Sequence, residues 1–370
     1  MPLDLPPAQR KVTNKPFKSA GEHNVLMHAD GQMTDTTLVF HATADQTNNY
    51  CTITEIQWTQ EDHAIHHIHL LEDEAFYVVE GAITVHTDRG DIPVGPGEVA
   101  WGPRRNRHAY SVHENGARCL LIQVPGTDLT NFFKGSAQLG DALTSPEAVQ
   151  QWFRWSAEEF GVVFLDPTEY PPGQSVVDGD GAPAPQGGVL DLPELSDVVV
   201  NRIFKSSGDR RVRSKFAHDP DNGAEYVFHL SGKQTGGALG LIEIVWGANE
   251  AVAAHTHSVE DRAFYVLEGS IDVVMDDAEL NLGPHDLGWI PRGTKHAYRI
   301  GPNGARVLMS YFPGTSLDRL FEITAPMDGV ITDRSNLEQW AAWAEETFGL
   351  AFELPAVTEA PEPELAGNQA

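Results

Sequence analysis

The chain has 370 residues and a formal net charge of −28, with 53 Asp and Glu against 25 Lys and Arg. That balance argues against a nucleic-acid partner and against an anionic membrane surface, since both require basic patches. No apolar run reaches the length of about 18 residues that a membrane-spanning helix needs, and Met1 to Pro7 lacks the basic-then-apolar plan of a secretory leader.

In chain order, the first twenty residues are polar and Pro-rich. Short β-rich runs follow, punctuated by Gly, Asp and Asn: Thr52–Trp58, Glu74–Val79, Ala82–Thr87, Val99–Trp101, His108–Val112 and Ala117–Val124. Their regular spacing predicts an antiparallel sandwich or barrel. Two cysteines, Cys51 and Cys119, are too few for a disulfide framework and read as reduced core thiols of a cytoplasmic protein. Ser145, Pro146 and Glu147 then supply a cap, a proline at the first helical position and an acidic first turn. Val149, Trp152, Phe153, Ala157 and Phe160 continue at helical spacing, and Gly161 ends the run. The spacing predicts one amphipathic helix closing the unit, its Trp/Phe stripe packed on the barrel or on a second domain.

Residues 166–197 contain Pro167, Pro171, Pro172, Pro183, Pro185 and Pro193, which reads as a linker. After it the chain repeats itself at a gapless offset of 188 residues, His67 corresponding to His255. Glu55-Ile56 matches Glu243-Ile244, Asn115-Gly116-Ala117-Arg118 matches Asn303-Gly304-Ala305-Arg306, and Phe160-Gly161 matches Phe348-Gly349. A unit this long is a domain rather than a solenoid repeat. The expected organisation is therefore a first domain over 1–165, a linker over 166–197, a second domain over 198–354 and a disordered acidic tail over 355–370.

The repeat carries a metal-ligand pattern. His67 and His69 stand at i, i+2, so on a strand they share a face. Glu74 opens the next strand with Phe76 and Val78 on its face, and His108 returns on a later one. Three imidazoles and a carboxylate suit Fe, Mn, Co, Ni, Cu or Zn and leave positions open for water, oxygen or substrate. His63 and His66 read as a loop residue and an outward-facing one. The second copy keeps His255, His257 and His296, but Arg262 replaces the carboxylate. An arginine stays protonated and cannot ligate.

The run from His67 to Gly81 resembles the first cupin motif throughout: HxH, four residues, Glu, six residues, Gly. Gly97, Pro103 and His108 resemble the second, with Arg105 in place of its second glycine. The other copy keeps Pro291, Gly293 and His296, with His285 at the position of Gly97. The resemblance implies a bicupin: an all-β fold of two tandem double-stranded β-helix (jelly-roll) barrels, each followed by a C-terminal helix. Glu74-x-Phe76-Tyr77-Val-x-Glu80-Gly81, and Pro125-Gly126 running to Phe132-Phe133, are most similar to the quercetin 2,3-dioxygenase-like group. That likeness implies O2-dependent ring or C–C cleavage of an enol or phenol-type substrate, flavonol-like or polyketide-like. The cofactor implied is a divalent metal, iron first with Ni, Mn, Co, Cu or Zn as alternatives, and O2 is the co-substrate. Glu74 doubles as ligand and catalytic base, and Phe76, Trp101 and Tyr110 wall an aromatic or enolic small molecule. A homodimer is compatible with this reading.

Arg262 admits three readings: a structural second centre with Arg262 paired to Glu260, a persisting three-histidine metal site with Arg262 turned aside or holding a substrate anion, or support of the first domain across an interface. For the whole chain, the alternatives to a dioxygenase are a non-redox isomerase, lyase or decarboxylase using the same ligands, and a non-catalytic binding protein.

Overall fold

Every run expected to be extended is extended in the structure, a computed structural model that describes residues 13–28, 35–59, 62–139, 143, 145–165, 199–214, 223–325 and 334–354. The expected linker 166–197 and tail 355–370 lie outside the described residues. The first half contains β1 (Phe17–Ser19), β2 (Asn24–His28), β3 (Asp35–Ala42), β4 (Thr52–Trp58), β5 (Asp62–His69), β6 (Asp73–Thr87), β7 (Gly90–Val94), β8 (Val99–Gly102), β9 (His108–Val124), α1 (Leu129–Leu139), α2 (Pro146–Phe160) and β10 (Val162–Phe164). The second contains β11 (Phe204–Ser206), β12 (Arg210–Ser214), β13 (Ala224–Leu230), β14 (Gly240–Trp246), β15 (Ala251–His257), β16 (Asp261–Met275), β17 (Glu279–Leu282), β18 (Leu287–Ile290), β19 (His296–Phe312), α3 (Leu317–Thr324), α4 (Arg334–Phe348) and β20 (Leu350–Phe352).

Two ten-stranded antiparallel sheets result, one ordered β11-β8-β6-β9-β4-β3-β2 and the other β1-β18-β16-β19-β14-β13-β12, with the remaining strands attached at their sides. The runs 74–79 and 82–87 are one strand, β6, and 108–112 and 117–124 are likewise one strand, β9. Register shifts interrupt their pairing near Gly81, which takes φ 71° where it meets Gly116. A Cβ on Gly81 would stand 2.2 Å from the Gly116 carbonyl oxygen, so only glycine fits this corner. The corner lets each long strand serve two layers: β9 pairs with β5 before it and with β4 after it.

Among the described residues each half carries two helices rather than the single one expected. The additional α1 places Leu129, Phe132, Ser136 and Leu139 on its buried side at helical spacing. In α2, the Ser145 side chain accepts the Ala148 amide and Gly161 closes the helix at φ 70°. No described helix is long and apolar enough to cross a membrane. Cys51 and Cys119 are free and fully buried.

Alternation along β6 sorts its side chains between two cores. Phe76 and Val78 join Phe40, Ile56 and Trp58 inside the first barrel. Ala75 and Tyr77 face the second domain, in a cluster that draws Trp101 and Ile122 from the first half and Tyr265, Trp289 and Phe312 from the second. Each large side chain buried there contributes about 1.5–3 kcal/mol. Both faces of the strand are dry, which is why its sequence is apolar without a clean polar alternation.

The interface is also pinned by two polar clusters built from repeat-matched residues. The Tyr77 hydroxyl donates to Glu243 Oε2 at 2.8 Å, and the Tyr265 hydroxyl donates to Glu55 Oε2 at 2.6 Å. Glu55 is further held by Arg118 and His41, and Glu243 by Arg306 and His229. Burial raises these carboxyl groups, but their hydrogen bonds, led by His41 for Glu55 and His229 for Glu243, outweigh it and hold both down at about 2. Two short strands cross the same boundary: β1 pairs with β18, and β11 pairs with β8.

The two departures from the glycine pattern keep the backbone that glycine would favour. Arg105 sits at φ 66° where its counterpart Gly293 has φ 79°, and His285 sits at φ 67° where Gly97 has φ 77°. A non-glycine residue there carries strain of roughly 1–2 kcal/mol. The His285 ring is used at the interface, with Nδ1 3.1 Å from the Tyr265 hydroxyl and Nε2 2.8 Å from Arg118 Nη1.

Candidate metal centre

The i, i+2 histidines sit at the end of β5, beside the start of β9, with His67 directly opposite His108 in register. Glu74 reaches the same point from the start of β6. The ligand atoms of His67, His69, Glu74 and His108 all lie within 4.8 Å of one another, and all four side chains are buried. Glu74 is 3% exposed. Its Oε1 lies 3.2 Å from His69 Nε2, and its Oε2 lies 3.2 Å from His108 Nε2.

The far side of each ring fixes which nitrogen faces the centre. His67 Nδ1 lies 2.8 Å from the Ile65 carbonyl oxygen, His69 Nδ1 lies 2.6 Å from Glu72 Oε1, and His108 Nδ1 lies 3.1 Å from the Asn106 carbonyl oxygen. Each partner is an acceptor, so Nδ1 donates and Nε2 presents a lone pair inward. The carboxylate is held too: Gln123 donates to Glu74 Oε1 at 2.7 Å, and Thr52 donates to Gln123 Oε1 at 2.9 Å. Gln123, Thr52 and Glu72 are supports that reading the sequence missed. Only Glu72 had a signal there, its place three residues after His69, echoed by Glu260 after His257.

Burial works to raise the Glu74 carboxyl, but the imidazoles, His69 foremost, outweigh it and hold it well below the usual carboxylate range. Burial, followed by the charges of His108 and His69, pushes His67 well below the ordinary imidazole value. On His69 burial acts downward, but Glu74 and Glu72 outweigh it and the net direction is up. The first centre is therefore an ionised carboxylate among converging imidazole lone pairs, the donor set for a divalent transition metal.

Phe76 and Tyr110 stand two residues beyond Glu74 and His108 on β6 and β9, their rings 5.6 Å apart in the barrel core, with Trp58 5.5 Å from Tyr110. Trp101 faces away from them. Glu74 pairs with Gly102 and Ala75 with Trp101, so Trp101 shares the face of Ala75 and points into the interdomain core, 1% exposed. A wall residue absent from the sequence reading takes a place here: Phe164 of β10 lies opposite His67, ring centroids 5.7 Å apart, and stacks on Trp152 of α2 at 4.5 Å. Part of the Trp/Phe stripe thus packs behind the centre. His63 is exposed and His66 half-buried, and neither joins the ligand set.

The second half brings His255, His257 and His296 together in the same way. Arg262, 3% exposed, places Nη2 2.9 Å from His257 Nδ1 and 3.4 Å from Glu260 Oε1. The Tyr298 hydroxyl stands 2.7 Å from His296 Nε2. Burial, then the charge of the neighbouring His296 and Arg262, pushes His255 well down, and burial with Arg262 does the same to His257. His296 falls to about 4 through burial, with Arg262 adding to the effect.

A sequence profile described as "Cupin domain" matches residues 55–124 and 242–311, one match in each half and each spanning its histidine motif. The chain is a bicupin. A curated relative, quercetin 2,3-dioxygenase of Bacillus subtilis (strain 168), is 22% identical over 254 residues, 67% of the bicupin and 69% of the relative. Among solved structures, a variant of Bacillus subtilis oxalate decarboxylase superposes with a TM-score of 0.52 at 13% identity, covering 94% of the bicupin and 92% of that chain. A second variant of the same enzyme gives 0.51 at 15% identity, covering 94% and 90%. At those identities the structural likeness speaks for the fold.

Proposed function

We propose that the bicupin is a metal-dependent dioxygenase that cleaves a C–C bond of an enol or phenol-type aromatic substrate with O2, reacting at the centre of His67, His69, Glu74 and His108. The observation that carries this reading is Glu74: a buried, ionised carboxylate set between two imidazoles and backed by Gln123. The name of the curated relative supports the reaction class. The four side chains would hold a divalent ion; iron is our first choice, and Mn, Ni, Co, Cu and Zn suit the same donors. Bound there, the ion would supply Lewis acidity and, if redox-active, a path for O2 chemistry.

The chain's own residues supply the rest. Glu74 is ionised at neutral pH and can accept the substrate's hydroxyl proton at a carboxylate oxygen. Its depressed basicity suits it to take a proton only from an acidified hydroxyl, an acidity that a bound ion would supply. Phe76 and Tyr110 provide an apolar wall for an aromatic ring and keep water from the anion that forms. Both atoms of O2 enter the organic products, so no external reductant is required.

An oxygen electrode, with flavonols, polyphenols and enolised diketones as substrates, tests this reading. Stoichiometric O2 uptake and incorporation of both atoms of 18O2 are the expected results. Turnover under nitrogen would instead establish a non-redox lyase or decarboxylase using the same ligands. Binding without turnover in either atmosphere would establish a non-catalytic bicupin.

A further inference from the structure

Three differences between the halves fall on one patch of three neighbouring strands. Glu74 of β6 becomes Arg262 of β16, Gln123 of β9 becomes Tyr311 of β19, and Thr52 of β4 becomes Gly240 of β14. In the first half Glu74 pairs with Gln123 and Gln123 with Thr52; in the second Arg262 pairs with Tyr311 and Tyr311 with Gly240. The three positions are thus one connected row. In the first half that row is the chain of hydrogen bonds that holds the carboxylate.

The second half rebuilds the row as a fitted unit. A Cβ on Gly240 would stand 1.8 Å from Tyr311 Cζ, so the tyrosine ring fits only because threonine has been lost beneath it. A decayed copy would accumulate unrelated changes, whereas these require one another.

The second centre also engages groups that a metal would need. A guanidinium only donates. Arg262 Nη2 and Glu260 Oε1 each stand 2.9 Å from His257 Nδ1, so the guanidinium and its counter-ion crowd the outer nitrogen of that ring, where the first half has Glu72 alone. His296 Nδ1 donates to the Thr294 carbonyl oxygen at 2.7 Å, which leaves Nε2 to accept the Tyr298 hydroxyl at 2.7 Å. The inward nitrogen of His296 is thus already engaged, whereas His255 holds its Nδ1 2.8 Å from the Ala253 carbonyl oxygen as His67 does in the first half. Bringing a dication beside the buried guanidinium adds repulsion to this engagement.

We infer that the Arg262 guanidinium is the resident cation of the second centre, taking the place of a metal ion, so that the chain binds metal in its first half alone. Glu260 supplies the counter-charge, and the Tyr298 hydroxyl stands against the inward nitrogen of His296. The inference concerns metal content and stands apart from the reaction proposed above.

The test is metal stoichiometry on the full chain, loaded with excess Mn(II) or Fe(II), freed of unbound ion by gel filtration and measured by inductively coupled plasma mass spectrometry. About one ion per chain is expected for the wild type, unchanged in His255→Ala and abolished in His67→Ala. The triple variant Arg262→Glu, Tyr311→Gln, Gly240→Thr recreates the first centre's row and should raise the content to about two ions per chain. Two ions in the wild type, or a loss of about one ion in His255→Ala, would overturn the inference. If the triple variant fails to fold by circular dichroism, the wild-type and His255→Ala measurements still decide.

Discussion

The two centres share a backbone, three histidines, a tyrosine two residues past the third histidine and an acid three residues past the second. They part at one row of three side chains. In the first half that row offers an anion to the centre, and in the second it offers a cation. The comparison teaches that a histidine triad does not define a metal site by itself. The charge of the fourth residue, set by the row that supports it, decides whether the triad faces an anion that completes a donor set or a cation that repels an ion.

The strongest way to break the comparison is at the fourth residue. Glu74→Gln should retain metal but lower kcat/KM by roughly 10²–10⁴-fold with the substrate that supports O2 uptake. Its positional counterpart Arg262→Gln should lower the melting temperature, because it leaves Glu260 buried without its cation, and should not lower metal content or kcat/KM. Next in size, Glu72→Ala removes the acceptor that orients His69 and should weaken metal affinity roughly 10–100-fold in a competitive chelator titration. Glu260→Gln should leave metal affinity where it was.

Smaller effects test the interface where the halves are alike. Tyr77→Phe and Tyr265→Phe each strip a buried carboxylate of a donor, and each should cost about 1–3 kcal/mol in urea unfolding of the full chain. A large inequality between them would show that the two clusters are not equivalent. The smallest expected effect is in pH. Glu55 and Glu243 are lowered from 4.5 to about 2, so their contribution is complete above about 4.5 and is lost as the pH falls towards 2. Melting temperature should decline across that window, and Glu55→Gln should flatten the decline.

Much of this organisation was legible in the residues. Repetition exposed the two barrels, and the i, i+2 histidines with Glu74 and His108 marked the place where four side chains meet. What escaped was whatever depends on register or on long-range neighbours. Trp101 reads as a wall residue until Gly102 is known to pair with Glu74, which turns the tryptophan to the opposite face. Gln123 and Thr52 lie far along the chain from Glu74, and only the adjacency of β4, β9 and β6 joins them. Helix α1 was hidden because Gly135 and β-branched Thr130 lower its propensity, and burial of Leu129 and Phe132 overrides them. The pairing of Arg262 with Glu260 was one of three readings open from sequence, and the structure places the two side chains together.

The short strands β1 and β11 carry the same three residues, Phe-Lys-Ser, and each completes the edge of the opposite sheet. The duplicated halves are therefore mutual donors, each finishing what the other leaves open. Cutting the chain between them would expose an unpaired edge on β8 and another on β18, the kind of template on which proteins aggregate or swap segments. Covalent fusion keeps donor and acceptor at high effective concentration. It also freed the second barrel to give up a metal while remaining indispensable to the first as a source of its last strand.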